Sequence, residues 1–414
     1  MKILLLNQAF HPDVVSTAQH ASDLARALAA QRHRVTVVCN RRAYDSPSVT
    51  FPRAETWHGV TIRRISGTGF GKTGKWSRAF DFASFLANCL ARLCTLGRFD
   101  CVVALTSPPL ISFLGVIYAR LTGARLILWL MDINPDEAVA AGWLRERSLP
   151  ERVLSWCLAA SVRGAARIVV LDRFMRQRIE AKGIPADRIS VVSPWIHSDA
   201  VCWDVEGRRQ FRERHSLVGK FVVMYSGNHS PCHPLDTVLH AAREMAADAN
   251  VAFLFVGGGS QFRRVQEFAA THSLPNVQCL PYQRLESLGG SLSSADLHLV
   301  VMGDSFVGIV HPCKIYNILA TGSPYLYIGP SPSHVTELAN GAPAGSAWLA
   351  RHGDVEGVVA CIRQAAALGQ RRCPDNTALA RQFSAASLLS RMIAIVESCG
   401  QPHPVPAMEV PSHR

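Results

Sequence analysis

Lys314 is the residue best suited to hold an anion. It stands in His311-Pro312-Cys313-Lys314-Ile315-Tyr316-Asn317, within a stretch that reads as a loop, a short helix, a glycine stop and a buried strand running to Ile328. Pro312 suits a first helical turn, where a missing N–H costs nothing. Gly322 suits the left-handed residue just past a helix end, and Pro324 bars continuation. Free N–H groups at a helix start favour an anion, so a lysine there reads as a phosphate site. The plain alternative is a solvated lysine on an ordinary βα unit. Four more turns should open at the same sheet edge: Gly227-Asn228-His229-Ser230, Gly257-Gly258-Gly259-Ser260, Pro281-Tyr282-Gln283-Arg284 and Met302-Gly303-Asp304-Ser305. Glycine lets a backbone approach a ligand closely. One glycine run is usually just a turn, but four such loops with Lys314 point to a phosphorylated ligand such as a nucleotide. Gly227, Asn228, Gly257, Gly258, Tyr282, Asp304, Gly308, Lys314 and Asn317 are the candidates for holding it.

The first half offers a different chemistry. Asp132, Asp136 and Glu137 follow a buried strand, and Asp132 is the candidate for touching a ligand hydroxyl; capping of the next helix is its bland reading. Thr106 and Ser107 bring hydroxyls to the neighbouring loop. His11 follows the first strand, where a lone histidine is more often structural. Residues 69–80 mix glycine, cations and aromatics (Lys72, Lys75, Trp76, Arg78), a composition suited to docking on an anionic bilayer surface. Burial of the helix that follows is the competing reading.

The elements that must position these residues alternate. In residues 1–195, strands at 3–6, 34–39, 60–65, 101–106, 126–131, 168–171 and 189–192 are separated by helical stretches. Strands separated by helices predict a parallel sheet covered on both faces. A boundary without strand pattern is expected at 193–216, through the charged run Glu206–His215. The same alternation restarts at Phe221 and continues to Ile328, followed by a final helix at 383–399, expected to pack back on the first domain, and a disordered tail at 400–414. The expected fold is α/β, with two doubly wound Rossmann-like domains (1–195 and 196–382) facing across a cleft, ligands binding at the carboxyl ends of the strands. At 414 residues two domains are the natural expectation. No apolar run is long enough to span a membrane, and the twelve cysteines form no Cys-x-x-Cys pair, so no metal motif is expected. Residues 1–200 hold 26 lysines and arginines against 15 acids, a net of +11, whereas residues 201–414 hold 17 against 16. The first half should therefore face something anionic. Nucleic acid is not expected, because no recognised module accompanies the charge.

The phrases Tyr225-Ser226-Gly227-Asn228-His229, Phe255-Val256-Gly257-Gly258-Gly259, Ala295-Asp296-Leu297 and Pro312-x-Lys314-x-Tyr316-x-x-Leu319-Ala320-x-Gly322-x-Pro324 resemble the GT-B glycosyltransferases of family 4. The resemblance covers nearly the whole chain and is nearest to members that build bacterial surface polysaccharides and lipid-linked sugars. It implies a nucleotide sugar held by the C-terminal domain, a lipid-linked or glycan acceptor held by the N-terminal domain, transfer with retention, and no metal or other cofactor. Lys314 would take the diphosphate, with Asp132 and His11 completing the catalytic set. Two departures stand out. Ile309 and Asn317 occupy the positions of the family's two glutamates, and Val14-Val15-Ser16-Thr17 replaces its glycine pair. They leave two alternatives open: a non-catalytic nucleotide-sugar-binding subunit, or a sugar-nucleotide epimerase of the same fold. The expected location is cytoplasmic, including the inner face of the plasma membrane as a peripheral protein.

Overall fold

The computed structural model describes residues 1–13, 15–44, 48–68, 75–196, 201–369 and 372–400. The strands are β1 (Lys2–Leu6), β2 (Arg34–Asn40), β3 (Ala54–Trp57), β4 (Val60–Ile65), β5 (Cys101–Ala104), β6 (Arg125–Trp129), β7 (Arg167–Val170), β8 (Ile189–Val191), β9 (Phe221–Asn228), β10 (Val251–Gly258), β11 (Val277–Leu280), β12 (Leu297–Val301), β13 (Tyr325–Ile328) and β14 (Ala347–Ala350). The first eight form one sheet in the order β3-β4-β2-β1-β5-β6-β7-β8, and the last six form a second in the order β11-β10-β9-β12-β13-β14. Its central strands are apolar on both faces, as expected for a parallel sheet layered between helices: Val222 to Tyr225, Val251 to Val256 and Leu297 to Val301 are all buried. The expectation of two Rossmann-like α/β units with parallel sheets holds.

The chain divides into two compact units. One contains residues 1–129, 157–169 and the chain from Arg391 on; the other contains 130–156 and 170–390. The end of the last helix, Ala385–Gly400, meets the first unit through a His33–Glu397 contact of 2.9 Å.

Three expectations need correction. The charged run expected at the boundary, with no element assigned to it, is a helix, Val205–Arg214, capped by Asp204 accepting from the Gly207 N–H at 2.8 Å. Two of its four arginines do not face water. Arg208 and Arg212, one turn apart, both reach Asp296, at 2.5 and 2.8 Å, and all three are buried. A charged run reads as solvated until the counter-charge, here 84 to 88 residues away, is brought to it. The second correction concerns Gly227-Asn228 and Gly257-Gly258, expected in loops. Both pairs continue their strands, with Gly257 level with Gly227 and Gly258 level with Asn228. The third is β3, which was not predicted and pairs antiparallel with β4 at the sheet's edge. The tail 401–414 lies outside the described residues. Among those described, no helix is long and apolar enough to cross a membrane.

Candidate functional site

The second unit gathers a group of unsatisfied polar side chains at the carboxyl ends of its strands. Helix Lys314–Thr321 begins just after Pro312 and stops at Gly322, whose φ of 72° is the left-handed ending expected from the sequence. Lys314 sits at its first residue. Its stem is part-exposed, but Nζ is buried, finds no acceptor within hydrogen-bonding reach, and lies 3.4 Å from the centroid of the Tyr225 ring. Burial pushes its pKa well below the usual lysine value. A Cβ placed on Gly227 would lie 3.5 Å from Lys314 Cε and Nζ.

A second orphan faces the same place. His229 donates from Nδ1–H to the Gly227 carbonyl (3.0 Å), while its buried Nε2 has no partner. Burial, with Lys314 next, lowers its pKa to about 4. His233 is held to the Val301 carbonyl at 2.7 Å and lowered to about 3 by the same two causes. Buried polar groups in native proteins are nearly always paired, so an orphan ammonium and an orphan imidazole beside one glycine mark a place for a ligand.

The strands are shaped for close approach here. Gly257 has a φ of 136°, and a Cβ on it would stand 2.1 Å from the Gly227 carbonyl oxygen, so only glycine fits. Tyr282 is exposed and lies against Gly258, its OH 3.5 Å from that carbonyl. Asn228 is exposed at the end of β9, Asp304 is exposed in a short helical turn, and Asn317 is half-buried on the Lys314 helix. The turn after Asp304 uses its own N–H groups: Phe306 donates to Gly303 and Ile309 to Phe306, both at 3.0 Å. Those two N–H groups are therefore not free to hold a sugar. Gly308, with a φ of 68°, sits against the Phe174 backbone, which a Cβ would meet at 2.6 Å.

A buried relay fixes the front of the Lys314 helix. His334 Nε2 lies 2.9 Å from Tyr316 Oη, Tyr316 Oη 2.6 Å from His311 Nε2, and His311 Nδ1 2.7 Å from Asp172 Oδ2. One assignment satisfies every group: each N–H or O–H donates onward and the Asp172 carboxylate accepts last. Asp172 also caps helix Arg173–Ala181 through the Met175 N–H at 2.8 Å. Burial pushes its carboxyl pKa up, but the bond and charge of His311 outweigh it and the net shift is down.

Asp132 belongs to this same unit. Burial first, and the Glu137 carboxylate second, raise its pKa well above the usual carboxylate range. Glu137 accepts from Asn134 Nδ2 at 3.0 Å and lies 3.9 Å from Cys232 Sγ. Asp132 is thus suited to hold a proton and donate it rather than to act as a base. Its loop is tied to the Asp304–Ile309 turn by the Ile133 N–H donating to the Ile309 carbonyl at 3.0 Å.

The candidates in the first unit form their own group at the ends of β1 and β5. The Gln8 N–H donates to the Ser107 carbonyl at 2.7 Å, and Thr106 and Ser107 are half-buried. His11 stacks on Trp57 at 4.2 Å, and its carbonyl accepts from Arg64 at 2.7 Å. Burial lowers its pKa. Lys72 lies outside the described residues, as do the side chains of Lys75, Trp76 and Arg78. Among the described residues no group of His, Cys, Asp and Glu could hold a metal ion.

Residues 17–195 match the family described as glycosyl transferase 4-like domain. A putative colanic acid biosynthesis glycosyl transferase of Escherichia coli K12, WcaI, is 25% identical over 94% of this chain and 96% of its own. The solved structure of Anabaena HepE with UDP-glucose aligns over 96% of this chain and all of its own, at a TM-score of 0.72 and 15% identity. Sucrose-phosphate synthase of Thermosynechococcus elongatus aligns over 96% and 98%, at 0.76 and 14%. Residues 17–195 are thus a glycosyl transferase 4-like domain, and the chain has the fold of the GT-B glycosyltransferases.

Sequence reasoning placed Lys314 and the glycines and missed their partners. Tyr225 as the platform under Lys314, His229 as the second orphan, and Glu137 with Cys232 beside Asp132 went unassigned. The phrase Tyr225-Ser226-Gly227-Asn228-His229 held the signal: alternation along a strand puts Tyr225, Gly227 and His229 on one face.

Proposed function

We propose that this enzyme moves a sugar from a nucleoside-diphosphate sugar to a hydroxyl or phosphate of a lipid-linked or polysaccharide acceptor in cell-surface polysaccharide biosynthesis, with retention of configuration. The observation that carries the donor half of this reading is the buried, unpartnered Lys314 Nζ beside Gly227. A diphosphate in that place would satisfy the ammonium, and the ammonium would stabilise the charge that develops as the nucleotide leaves. Gly227, Asn228, Gly257, Gly258, Gly308 and Asn317 would line the donor, with Tyr282 and Asp304 at its rim. The His229 imidazole, neutral through burial, would add one hydrogen bond. Asp132, holding its proton, would donate to a sugar or acceptor hydroxyl. Thr106, Ser107 and His11 would contribute to the acceptor site, and residues 70–80 would touch an anionic membrane surface. The transfer needs no metal: Lys314 and oriented N–H groups supply the positive charge. The UDP-glucose bound to HepE and the colanic acid role in the name of WcaI support the donor class and the biosynthetic setting.

A non-catalytic nucleotide-sugar-binding protein is the second reading, favoured by Ile309. It is buried and apolar at a position where the family resemblance implies a glutamate. One experiment separates the two. The protein is offered a panel of UDP-, GDP- and ADP-sugars with membrane lipid extract, and both binding and radiolabel transfer are followed. Transfer that is lost in Lys314→Ala sustains the enzyme. Binding without transfer to any acceptor sustains the second reading, and absence of any nucleotide binding by the folded protein refutes both.

A further inference from the structure

The amino-terminal edge of the larger sheet carries a feature that sugar transfer does not use. β2, β1 and β5 are adjacent and parallel, with Lys2 level with Arg34 and Ile3 level with Cys101. Their starts therefore meet at one edge. Lys2 opens β1, Arg34 opens β2, Arg32 stands two residues before it, and Arg98 precedes β5. The backbone is tied together there, the Arg34 N–H donating to the Met1 carbonyl and the Asp100 N–H to the Lys2 carbonyl, both at 2.9 Å.

These residues surround a cavity of about 400 Å³ lined by Met1, Lys2, Arg32, Arg34, Arg98 and Asp100. That volume suits a small-molecule group. None of the four cationic side chains makes an ion pair or a side-chain hydrogen bond among the described residues. The one carboxylate, Asp100, already accepts the Lys2 backbone N–H at 2.6 Å. Four unneutralised cations around one concavity repel each other and focus a positive field into it. Three of them are arginines, whose planar fork matches phosphate oxygens in pairs. The four belong wholly to the first unit, and none of them is part of the Lys314 site.

We propose that this cavity binds an anionic phosphate group. Two sources share that chemistry, a free phosphate or diphosphate and the headgroup of an anionic lipid. The test uses the full chain carrying Lys314→Ala, which removes the donor-site cation. Calorimetry with inorganic pyrophosphate, and co-sedimentation with vesicles of phosphatidylcholine with or without phosphatidylglycerol, are compared with the same protein also carrying Arg34→Ser and Arg98→Ser. Lys2→Ser with Arg32→Ser serves as a second variant should the first not fold. Pyrophosphate binding weakened at least tenfold by the arginine changes supports the site with a soluble ligand. Loss of binding to phosphatidylglycerol vesicles alone supports it with a lipid headgroup. Binding of neither probe to the parent, or binding unchanged in folded variants, overturns it. Because the parent already lacks Lys314, a failed donor-site reading leaves this result untouched.

Discussion

Replacing Lys314 with methionine should stabilise the protein and disable it at once. The side chain keeps its length and apolar stem but loses an ammonium that is buried without a hydrogen-bond partner. Taking an ion out of water costs several kcal/mol even after relaxation. Part of that cost is offset by the Tyr225 ring, 3.4 Å from Nζ, and a desolvated cation–π contact returns about 2 kcal/mol. The difference leaves the lysine a net burden of about 1–3 kcal/mol in the unliganded protein. Lys314→Met should therefore raise the unfolding midpoint by several degrees, at about 2–4 °C per kcal/mol for a domain of this size. Diphosphate binding should weaken by about tenfold to a hundredfold, the worth of a charge-assisted contact. Thermal unfolding followed by fluorescence gives the first number and calorimetry with a nucleoside diphosphate the second. Added diphosphate should stabilise the wild type more than the variant. A variant that unfolds earlier and binds diphosphate as tightly as wild type would refute the reasoning, since the lysine would then be structural.

Three other outcomes are expected. His229 and His298 are held at about 4, and His233 and His334 at about 3, with burial the first cause in each. The unfolded chain takes up their protons near pH 6.5 and the folded one does not. Their contribution is complete above that pH and declines on acidification, by about 1.4 kcal/mol per pH unit for each; urea unfolding at pH 7.5 and 5.5 measures it, and equal stabilities would contradict it. Asp296→Asn leaves the buried Arg208 and Arg212 without their carboxylate and should cost about 3–5 kcal/mol, read as a lower denaturation midpoint, with Arg209→Gln, an exposed neighbour, as the near-neutral control. Gly257→Ala forces a Cβ to 2.1 Å from the Gly227 carbonyl at a φ of 136°. It should lose donor binding and about 1–3 kcal/mol of stability, and an alanine variant with wild-type binding would show that the strand has room to move.

What the sequence determined by itself was local. Alternating apolar runs located most strands within one or two residues, because burial on both faces leaves an uninterrupted apolar signature. Pro312, Lys314 and Gly322 marked a helix and its ends, because backbone conformation at those positions depends on the residue itself. The tertiary structure decided everything that depends on which side chain meets which. Glu206–His215 read as part of a boundary with no strand pattern, and only Asp296, far along the chain, turns Arg208 and Arg212 inward. Lys314 could have been an ordinary surface lysine; its burial over Tyr225, 89 residues away, makes it an unpartnered cation. Asp132 was one of three carboxylates close together, and its raised pKa comes from burial and from the nearby Glu137 carboxylate. Local propensity is written in neighbouring residues, whereas charge state and satisfaction follow from solvent exclusion, which exists only once distant segments have packed.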